Sequence, residues 1–103
     1  MKRHKQLPEV REELREAAKW YEARRPGLGR EFMAEFKRGI AAILRSPRMW
    51  PRDPDYADHE VRRFLLRRFP YVLIYTVEAG SVLLLAVAHS GRRPNYWRVR
   101  LRK

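Results

Sequence analysis

Apolar residues recur at helical spacing in two segments of the N-terminal half. The first segment follows Pro8, and the second follows the sequence RRPGLG at residues 24–29. Their apolar positions are Val10, Leu14, Ala17, Ala18 and Tyr21, and then Phe32, Phe36, Ile40, Ile43 and Leu44. Steps of three, four and seven residues place such side chains on one face of an α-helix. Pro26 and its neighbouring glycines allow a tight reversal, and Ser46-Pro47 ends the second segment, so the pattern predicts a helical hairpin.

The apolar period changes after residues 47–58, PRMWPRDPDYAD, whose prolines and aspartates predict an irregular connector. Residues 60–69 alternate imperfectly between apolar and polar. Two β-branched and aromatic runs follow, YVLIYTV at 71–77 and VLLLAVA at 82–88. Gly80 in the joining sequence EAGS can adopt the positive φ of a tight turn, so these runs are predicted to pair as antiparallel strands.

Both of these runs are apolar at odd and even positions alike, which indicates that both faces of the sheet are covered. The helical hairpin can cover one face, so the other face needs the C-terminal segment or a partner. In the last eight residues, YWRVRLRK, apolar Trp97, Val99 and Leu101 alternate with arginine. This alternation predicts a last strand or an extended cover over the second face.

Length and composition limit the classes of protein that fit. A chain of 103 residues predicts one domain, residues 1–103. Its apolar runs are far shorter than the roughly 20 residues that span a bilayer, and no apolar segment follows the N-terminal charges, so we expect a cytoplasmic protein without membrane contact. The chain has no cysteine, and the spacing of His4, His59 and His89 matches no metal motif. We therefore expect no metal and no cofactor.

The net charge is +12 and is unevenly spread. Residues 61–103 contain ten basic residues and one acidic residue, Glu78, and carry +9, whereas residues 1–60 carry +3. Such a balance points to an anionic partner, either a nucleic acid or an acidic protein. The functional residues are therefore expected in the second half.

Three sequence motifs, in this order, resemble the RelE/ParE superfamily of toxins from bacterial type II toxin–antitoxin modules. They are WYEARRPGLG at 20–29, LRRFPY at 66–71 with the strand that follows it, and AVAHSGRRPNYW at 86–97. The resemblance implies an α+β fold in which an N-terminal helical hairpin packs on one face of an antiparallel sheet of about four strands. Members usually begin with an apolar strand, for which this chain offers Leu7 as its one apolar anchor.

The resemblance also implies a cognate acidic antitoxin, a toxin–antitoxin hetero-oligomer, and one of two targets. RelE-like members cleave mRNA on the ribosome, and ParE-like members poison DNA gyrase without being nucleases. RelE-like nucleases use strand lysines, two arginines and a tyrosine. Here Val72 and Ser90 stand where the arginines are expected, Arg63 and Arg67 are stand-ins for the lysines, and Tyr96 falls at the position of the family tyrosine.

Other relatives use histidine as an acid/base group. His89 could serve the attack of a 2′-hydroxyl while Arg92 or Arg93 stabilises charge on the phosphate, with Tyr96 as a fourth candidate. The alternative is that His89 ends a strand and hydrogen-bonds locally. His59 is a candidate second acid or base, which spacing alone does not place.

A second set of residues is predicted to bind nucleic acid or the antitoxin: Arg62, Arg63, Arg67, Arg68, Trp97 and Arg98. The four arginines form two adjacent pairs, and alternation along a strand would place one arginine of each pair on each face. Trp97 could stack on a base, although closing the core is the more ordinary role for it. Trp20 and Tyr21 are expected to pack within the helical hairpin.

The sequence thus predicts the toxin of a type II toxin–antitoxin system, ParE-like and acting on DNA gyrase, because the RelE-like residue set is incomplete. The alternative is a RelE-like, ribosome-dependent and metal-independent mRNA endoribonuclease. A second alternative is a degenerate, non-toxic binding module. Whether the protein is an enzyme stays open at this point.

Overall fold

The computed structural model describes residues 3–56 and 59–102, and for Arg102 the backbone alone. Its elements are β1 (Arg3–Gln6), α1 (Pro8–Arg24), α2 (Leu28–Arg45), β2 (Val61–Leu65), β3 (Tyr71–Glu78), β4 (Ser81–His89) and a C-terminal 3₁₀ helix (Tyr96–Arg102). Neither α-helix in these ranges is long and apolar enough to cross a membrane.

The predicted helical hairpin is confirmed, and its turn is built by Glu22 and Gly29. The Glu22 carboxylate accepts hydrogen bonds from the backbone N–H groups of Gly27 and Gly29 at 2.9 and 3.0 Å, which satisfies donors at the start of α2 that have no partner within the helix. A Cβ atom on Gly29 would lie 2.6 Å from the Ala18 carbonyl oxygen, so only glycine lets the helices approach this closely. The motif WYEARRPGLG is therefore a helix-packing signature.

The sheet has the strand order β1-β4-β3-β2. β2, β3 and β4 pair antiparallel as expected, and Gly80 takes a φ of +74° in the β3–β4 turn. The predicted sheet of about four strands is confirmed, and it is mostly antiparallel with one parallel pair, β1 with β4. Both helices and two strands separate β1 from β4, and such a long connection lets the two strands run in the same direction.

Each face of the sheet packs against its own hydrophobic cluster, which confirms that both faces are covered. The helical hairpin covers one face, on which Leu73, Tyr75 and Leu84 lie. The other face carries Ile74, Leu85 and Ala86. Leu85 and Ala86 share that face because the β3–β4 register shifts between Ile74 and Tyr75, which leaves Leu85 as a β-bulge without a partner residue.

The C-terminal segment covers the second face as a 3₁₀ helix, so the prediction of a strand or an extended cover is wrong in its geometry. A 3₁₀ helix has three residues per turn, which places Trp97 and Arg100 on one side. Trp97 is 1% exposed in the second cluster, whereas Val99 is 67% exposed. Because the alternation of apolar residues with arginine also occurs in this 3₁₀ helix, the alternation alone did not distinguish a strand from a 3₁₀ helix.

A buried ion pair joins the two layers across the edge of β4. Arg100 donates to Glu13 Oε2 at 3.0 Å and to the Leu85 carbonyl at 2.8 Å, and Glu13 Oε1 accepts from Val87 N–H at 2.9 Å. β1 ends opposite Leu84, so these β4 groups lie beyond the last residue that β1 pairs with. Glu13 from α1 and Arg100 from the C-terminal 3₁₀ helix thus take the place of a strand neighbour.

We expect Trp97→Ala to lower the free energy of unfolding by about 3–5 kcal/mol, because it leaves a cavity beneath the sheet. Urea denaturation followed by circular dichroism measures this. Val99→Ala is the matched control, and its exposed side chain predicts a change below about 0.5 kcal/mol. Equal effects of the two variants would show that the second face does not depend on Trp97.

We expect Glu13→Gln to lower the free energy of unfolding by about 3 kcal/mol, because it leaves the Arg100 guanidinium buried without an anionic partner. Glu12→Gln is the control on the next position of the helix. It breaks an exposed pair with Arg15 and should cost less than about 0.5 kcal/mol. A Glu13→Gln protein as stable as the Glu12→Gln protein would contradict a stabilising role for the buried pair.

Candidate functional site

Residues 89–95 connect β4 to the C-terminal 3₁₀ helix as a fixed loop. The backbone N–H of Ser90 donates to the Pro70 carbonyl at 2.8 Å, and that of Arg92 donates to the His89 carbonyl at 3.0 Å. Asn95 adopts a φ of 61°, a conformation that asparagine tolerates better than most residues, and its side-chain oxygen accepts from the Tyr56 hydroxyl at 3.2 Å. The loop is therefore held at both ends.

The exposed imidazole of His89 has a defined hydrogen-bonding state. Gly91 N–H donates to His89 Nδ1 at 2.9 Å, and the ring lies edge-on to the ring of Tyr71, 5.2 Å between centroids. A ring nitrogen that accepts a hydrogen bond carries no proton, so the neutral ring carries its proton on Nε2. Nδ1 is therefore occupied by a hydrogen bond within the loop.

The hydroxyl of Tyr96 donates a hydrogen bond to Glu13. Burial, together with this hydrogen bond and the charge of Glu13, raises the pKa of Tyr96 far above its usual value. Its ring is covered by Arg92, whose guanidinium carbon lies 3.8 Å from the ring centroid. Tyr96 therefore lies in the buried network with Glu13 and Arg100, and its proton is held there.

Arg92, Arg93 and Arg98 are the exposed cations of this region. Arg92 approaches Glu13 at 3.9 Å, a carboxylate that Arg100 already occupies. Arg98 lies over the Tyr56 ring, with its guanidinium carbon 5.4 Å from the centroid. Neither Arg93 nor Arg98 forms an ion pair with any residue in the described ranges.

Arg62 and Arg63 lie on opposite faces of β2, as alternation predicts, and their environments differ. The Arg62 side chain is 14% exposed, pairs with Glu60 at 2.8 Å and donates to the Trp50 carbonyl at 2.6 Å, which anchors the connector to the sheet. Arg63 is partly exposed and pairs with Asp53 at 3.3 Å. Arg63 is thus the member of this pair that a partner can reach.

Arg67 and Arg68 lie in the β2–β3 connection, so strand alternation does not apply to them, contrary to the prediction. Arg68 pairs with Glu31 of α2 at 2.6 Å, and the backbone N–H of Arg67 donates to Glu35 at 3.1 Å. A hydrogen bond from Arg38, together with the Arg67 N–H and the charge of Arg38, lowers the pKa of the buried Glu35 carboxylate. The second arginine pair therefore joins the connection to α2.

Trp97 does not belong to the accessible site. Its ring lies in the core beside Tyr56, 5.3 Å between centroids. The predicted contact between Trp97 and a nucleic-acid base is wrong for this conformation, because stacking needs an exposed ring face. Its ordinary role, closing the core, is confirmed.

A groove of about 670 Å³ lies between α1 and the ends of β3 and β4, and its largely aromatic lining also includes Glu13, Glu16 and Arg92. We call it the aromatic groove, and its lining includes Trp20, Tyr21, Pro70, Tyr71 and His89. Tyr21 packs in the hairpin as expected, whereas Trp20 packs there only in part: its ring lies edge-on to Tyr21, 5.1 Å between centroids, and it is 52% exposed. A signal was present in the sequence, because Trp20 lies outside the stripe formed by Val10, Leu14, Ala17 and Tyr21.

The region is better suited to binding than to acid–base chemistry. Its two candidate proton-transfer groups are both engaged within the fold, since Tyr96 donates its hydroxyl proton to Glu13 and His89 Nδ1 accepts from Gly91 N–H. Among residues 3–56 and 59–102, no three carboxylate or histidine side chains are grouped to hold a metal ion. The region has exposed arginines on one side, which suit an anion. On the other side it has the aromatic groove, which suits an apolar protein surface.

Comparison with known proteins identifies the family. The family model described as the ParE toxin of the type II toxin–antitoxin system parDE matches residues 5–94. The solved structure titled "Chromosomal ParDE TA system from P. aeruginosa" shares the fold, with a TM-score of 0.73 at 14% sequence identity, over 86% of this chain and 96% of that chain. No match was found among curated proteins. Since the family match spans most of the sequence, the chain belongs to the ParE toxin family of type II toxin–antitoxin systems.

Proposed function

We propose that this ParE-family toxin inhibits DNA gyrase in the cytoplasm by binding, without catalysis. The observation that carries this proposal is the position of Tyr96, whose hydroxyl is tied to Glu13 inside the fold. A ribonuclease built on this loop would need Tyr96 or His89 to exchange a proton with RNA. Instead, Tyr96 donates its proton to Glu13, and His89 Nδ1 accepts from Gly91 N–H within the loop.

The residues at two further positions support the same proposal. Val72 is half-buried in β3 and Ser90 is hydrogen-bonded through its backbone to Pro70, and neither side chain can stabilise negative charge on a phosphate as arginine does. The two stand-ins for strand lysines lie apart: Arg63 is in β2 and pairs with Asp53, whereas Arg67 is in the β2–β3 connection, where its backbone N–H donates to Glu35. These observations favour gyrase over the ribosome as the target.

We expect expression of the toxin without its antitoxin to induce the DNA-damage response of a bacterial host while protein synthesis continues at first. His89→Ala should be as toxic as the wild type, because the proposed mechanism needs no base. A reporter of DNA damage, pulse labelling of new protein and transcript mapping measure these effects. Purified wild-type and His89→Ala toxin should inhibit gyrase supercoiling with half-maximal concentrations within about threefold of each other.

Two outcomes would contradict this proposal in different ways. An immediate stop in protein synthesis with cleaved mRNA, absent in His89→Ala, would assign the toxin to ribosome-dependent cleavage. Harmless expression of a folded wild-type toxin would instead assign the chain to a degenerate binding module. Circular dichroism of both proteins shows whether a loss of toxicity reflects unfolding.

Membership in this family implies an antitoxin partner, and we propose that the antitoxin is acidic, forms a hetero-oligomer with the toxin and occupies the aromatic groove. The net charge of +12 favours an acidic partner. The aromatic groove supplies the apolar contact that a lasting complex needs, with the half-exposed Trp20 at its wall. Large aromatic anchors in such grooves often provide most of the binding energy of an interface.

Trp20→Ala should weaken antitoxin binding by about thirtyfold or more, in line with an anchor worth roughly 2 kcal/mol, and leave the fold intact. Calorimetric titration of the toxin with its purified cognate antitoxin measures this affinity. Lys19→Ala is the matched control, since Lys19 is exposed on the same helix and does not line the groove. Equal affinities of the Trp20→Ala and Lys19→Ala proteins would place the antitoxin elsewhere.

A further inference from the structure

Two adjoining depressions form a concave surface between the connector and the C-terminal segment. They share Arg93, Pro94, Asn95 and Tyr96 in their linings. Four arginines line them, Arg63, Arg92, Arg93 and Arg98, and we call this surface the basic face. No Asp or Glu of the described residues lines either depression.

Within the part of the chain that the structure describes, at least two charges of the basic face are uncompensated. Arg93 and Arg98 have no ion pair there, and Arg92 approaches a carboxylate that Arg100 and Tyr96 already occupy. Arg63 pairs with Asp53, whose other carboxylate oxygen accepts from the backbone N–H of Asp55. The positive potential of the basic face is therefore directed outwards, which favours an anionic partner.

The backbone that carries these arginines is fixed before any partner binds. Hydrogen bonds from Ser90, Gly91 and Arg92 hold the loop, and Asn95 is held by the Tyr56 hydroxyl. The Arg98 N–H donates to the Asn95 carbonyl at 3.0 Å, which fixes the start of the 3₁₀ helix relative to the loop. A fixed backbone lowers the ordering cost of binding.

The accessibility of the aromatic rings on the basic face indicates which form of nucleic acid, single-stranded or double-stranded, this surface suits. Arg92 covers the ring of Tyr96 at 3.8 Å, Arg98 lies over Tyr56 at 5.4 Å, and Trp97 is buried. Single-strand binding proteins need exposed rings on which bases stack, and these rings are occupied. A guanidinium stacked on a ring keeps its N–H groups at the edge free to donate to phosphate oxygens.

We propose that the basic face binds the phosphate backbone of duplex DNA, without sequence preference. The contact is additional to any contact between the toxin and the gyrase protein. This inference rests on the proposed function in one respect: if gyrase is the target, the duplex that the toxin contacts in the cell is the DNA segment bound by gyrase. The binding of DNA by the isolated toxin does not depend on gyrase.

The test is fluorescence anisotropy of a labelled mixed-sequence duplex, titrated with the full chain at several salt concentrations. Four phosphate contacts predict that the logarithm of the binding constant falls with the logarithm of salt with a slope of about −3.6. Arg93→Ala/Arg98→Ala should weaken binding at least about tenfold at moderate salt and reduce the slope by about two. A competing single strand of the same length should bind more weakly than the duplex.

Arg11→Ala/Arg30→Ala is the matched control, because it lowers the net charge equally at exposed helical positions outside the basic face. It should bind DNA within about threefold of the wild type. Equal losses of DNA affinity in both double variants would show that net charge alone explains the binding, and would overturn the proposal. Stronger binding to the single strand than to the duplex would also overturn it. If the double variant does not fold, the single variant Arg93→Ala replaces it in the test. The Arg93 side chain makes no described ion pair, so its removal should make the salt slope less steep by about one.

The two proposals fail separately. A toxin that inhibits gyrase but does not bind duplex DNA at low salt overturns the DNA contact and leaves the proposed function standing. A toxin that binds duplex DNA through Arg93 and Arg98 but does not affect gyrase or the DNA-damage response overturns the proposed function and leaves the DNA contact standing.

Discussion

The fold depends on how the outer edge of β4 is satisfied after β1 ends. A buried peptide N–H or carbonyl without a partner costs about as much as a lost hydrogen bond, so the edge beyond Leu84 needs partners. Glu13 and Arg100 provide them, and they come from layers on opposite faces of the sheet. Their ion pair therefore stabilises the edge and also ties the C-terminal 3₁₀ helix to α1.

This arrangement explains why the segment at residues 86–98, which is rich in residues that can bind phosphate, divides into two parts. Tyr96 and Trp97 face inwards and complete the ion-pair network and the core. Arg92, Arg93 and Arg98 remain at the surface, and the first and last of these lie over aromatic rings that the fold has already positioned. Residues that are neighbours in sequence thus have different roles. Side chains that point inwards stabilise the fold, and those that point outwards are available for binding.

The sequence predicted the elements whose signals are local. The stripes of α1 and α2, the turn at Gly80 and the apolar runs of β3 and β4 each depend on residues within one segment, and the structure confirms them. The direction of β1 depends on pairing with a strand 78 residues further along the chain, which periodicity does not encode. The 3₁₀ form of residues 96–102 depends on Arg100 reaching Glu13, and Arg62 depends on carbonyl groups of the connector, so both roles required the tertiary structure.

The aromatic groove and the basic face adjoin at the loop that follows β4, so a partner bound in one affects the other. Glu13, Arg92 and His89 line the aromatic groove, while Arg92 and His89 also line one depression of the basic face. A partner in the groove therefore lies beside the same loop that carries the exposed arginines, and an acidic partner would lower the potential of the basic face without covering all of it. Neutralisation by an antitoxin can thus combine apolar contact at Trp20 with electrostatic compensation at the loop, two contributions that respond differently to salt because screening acts on the second.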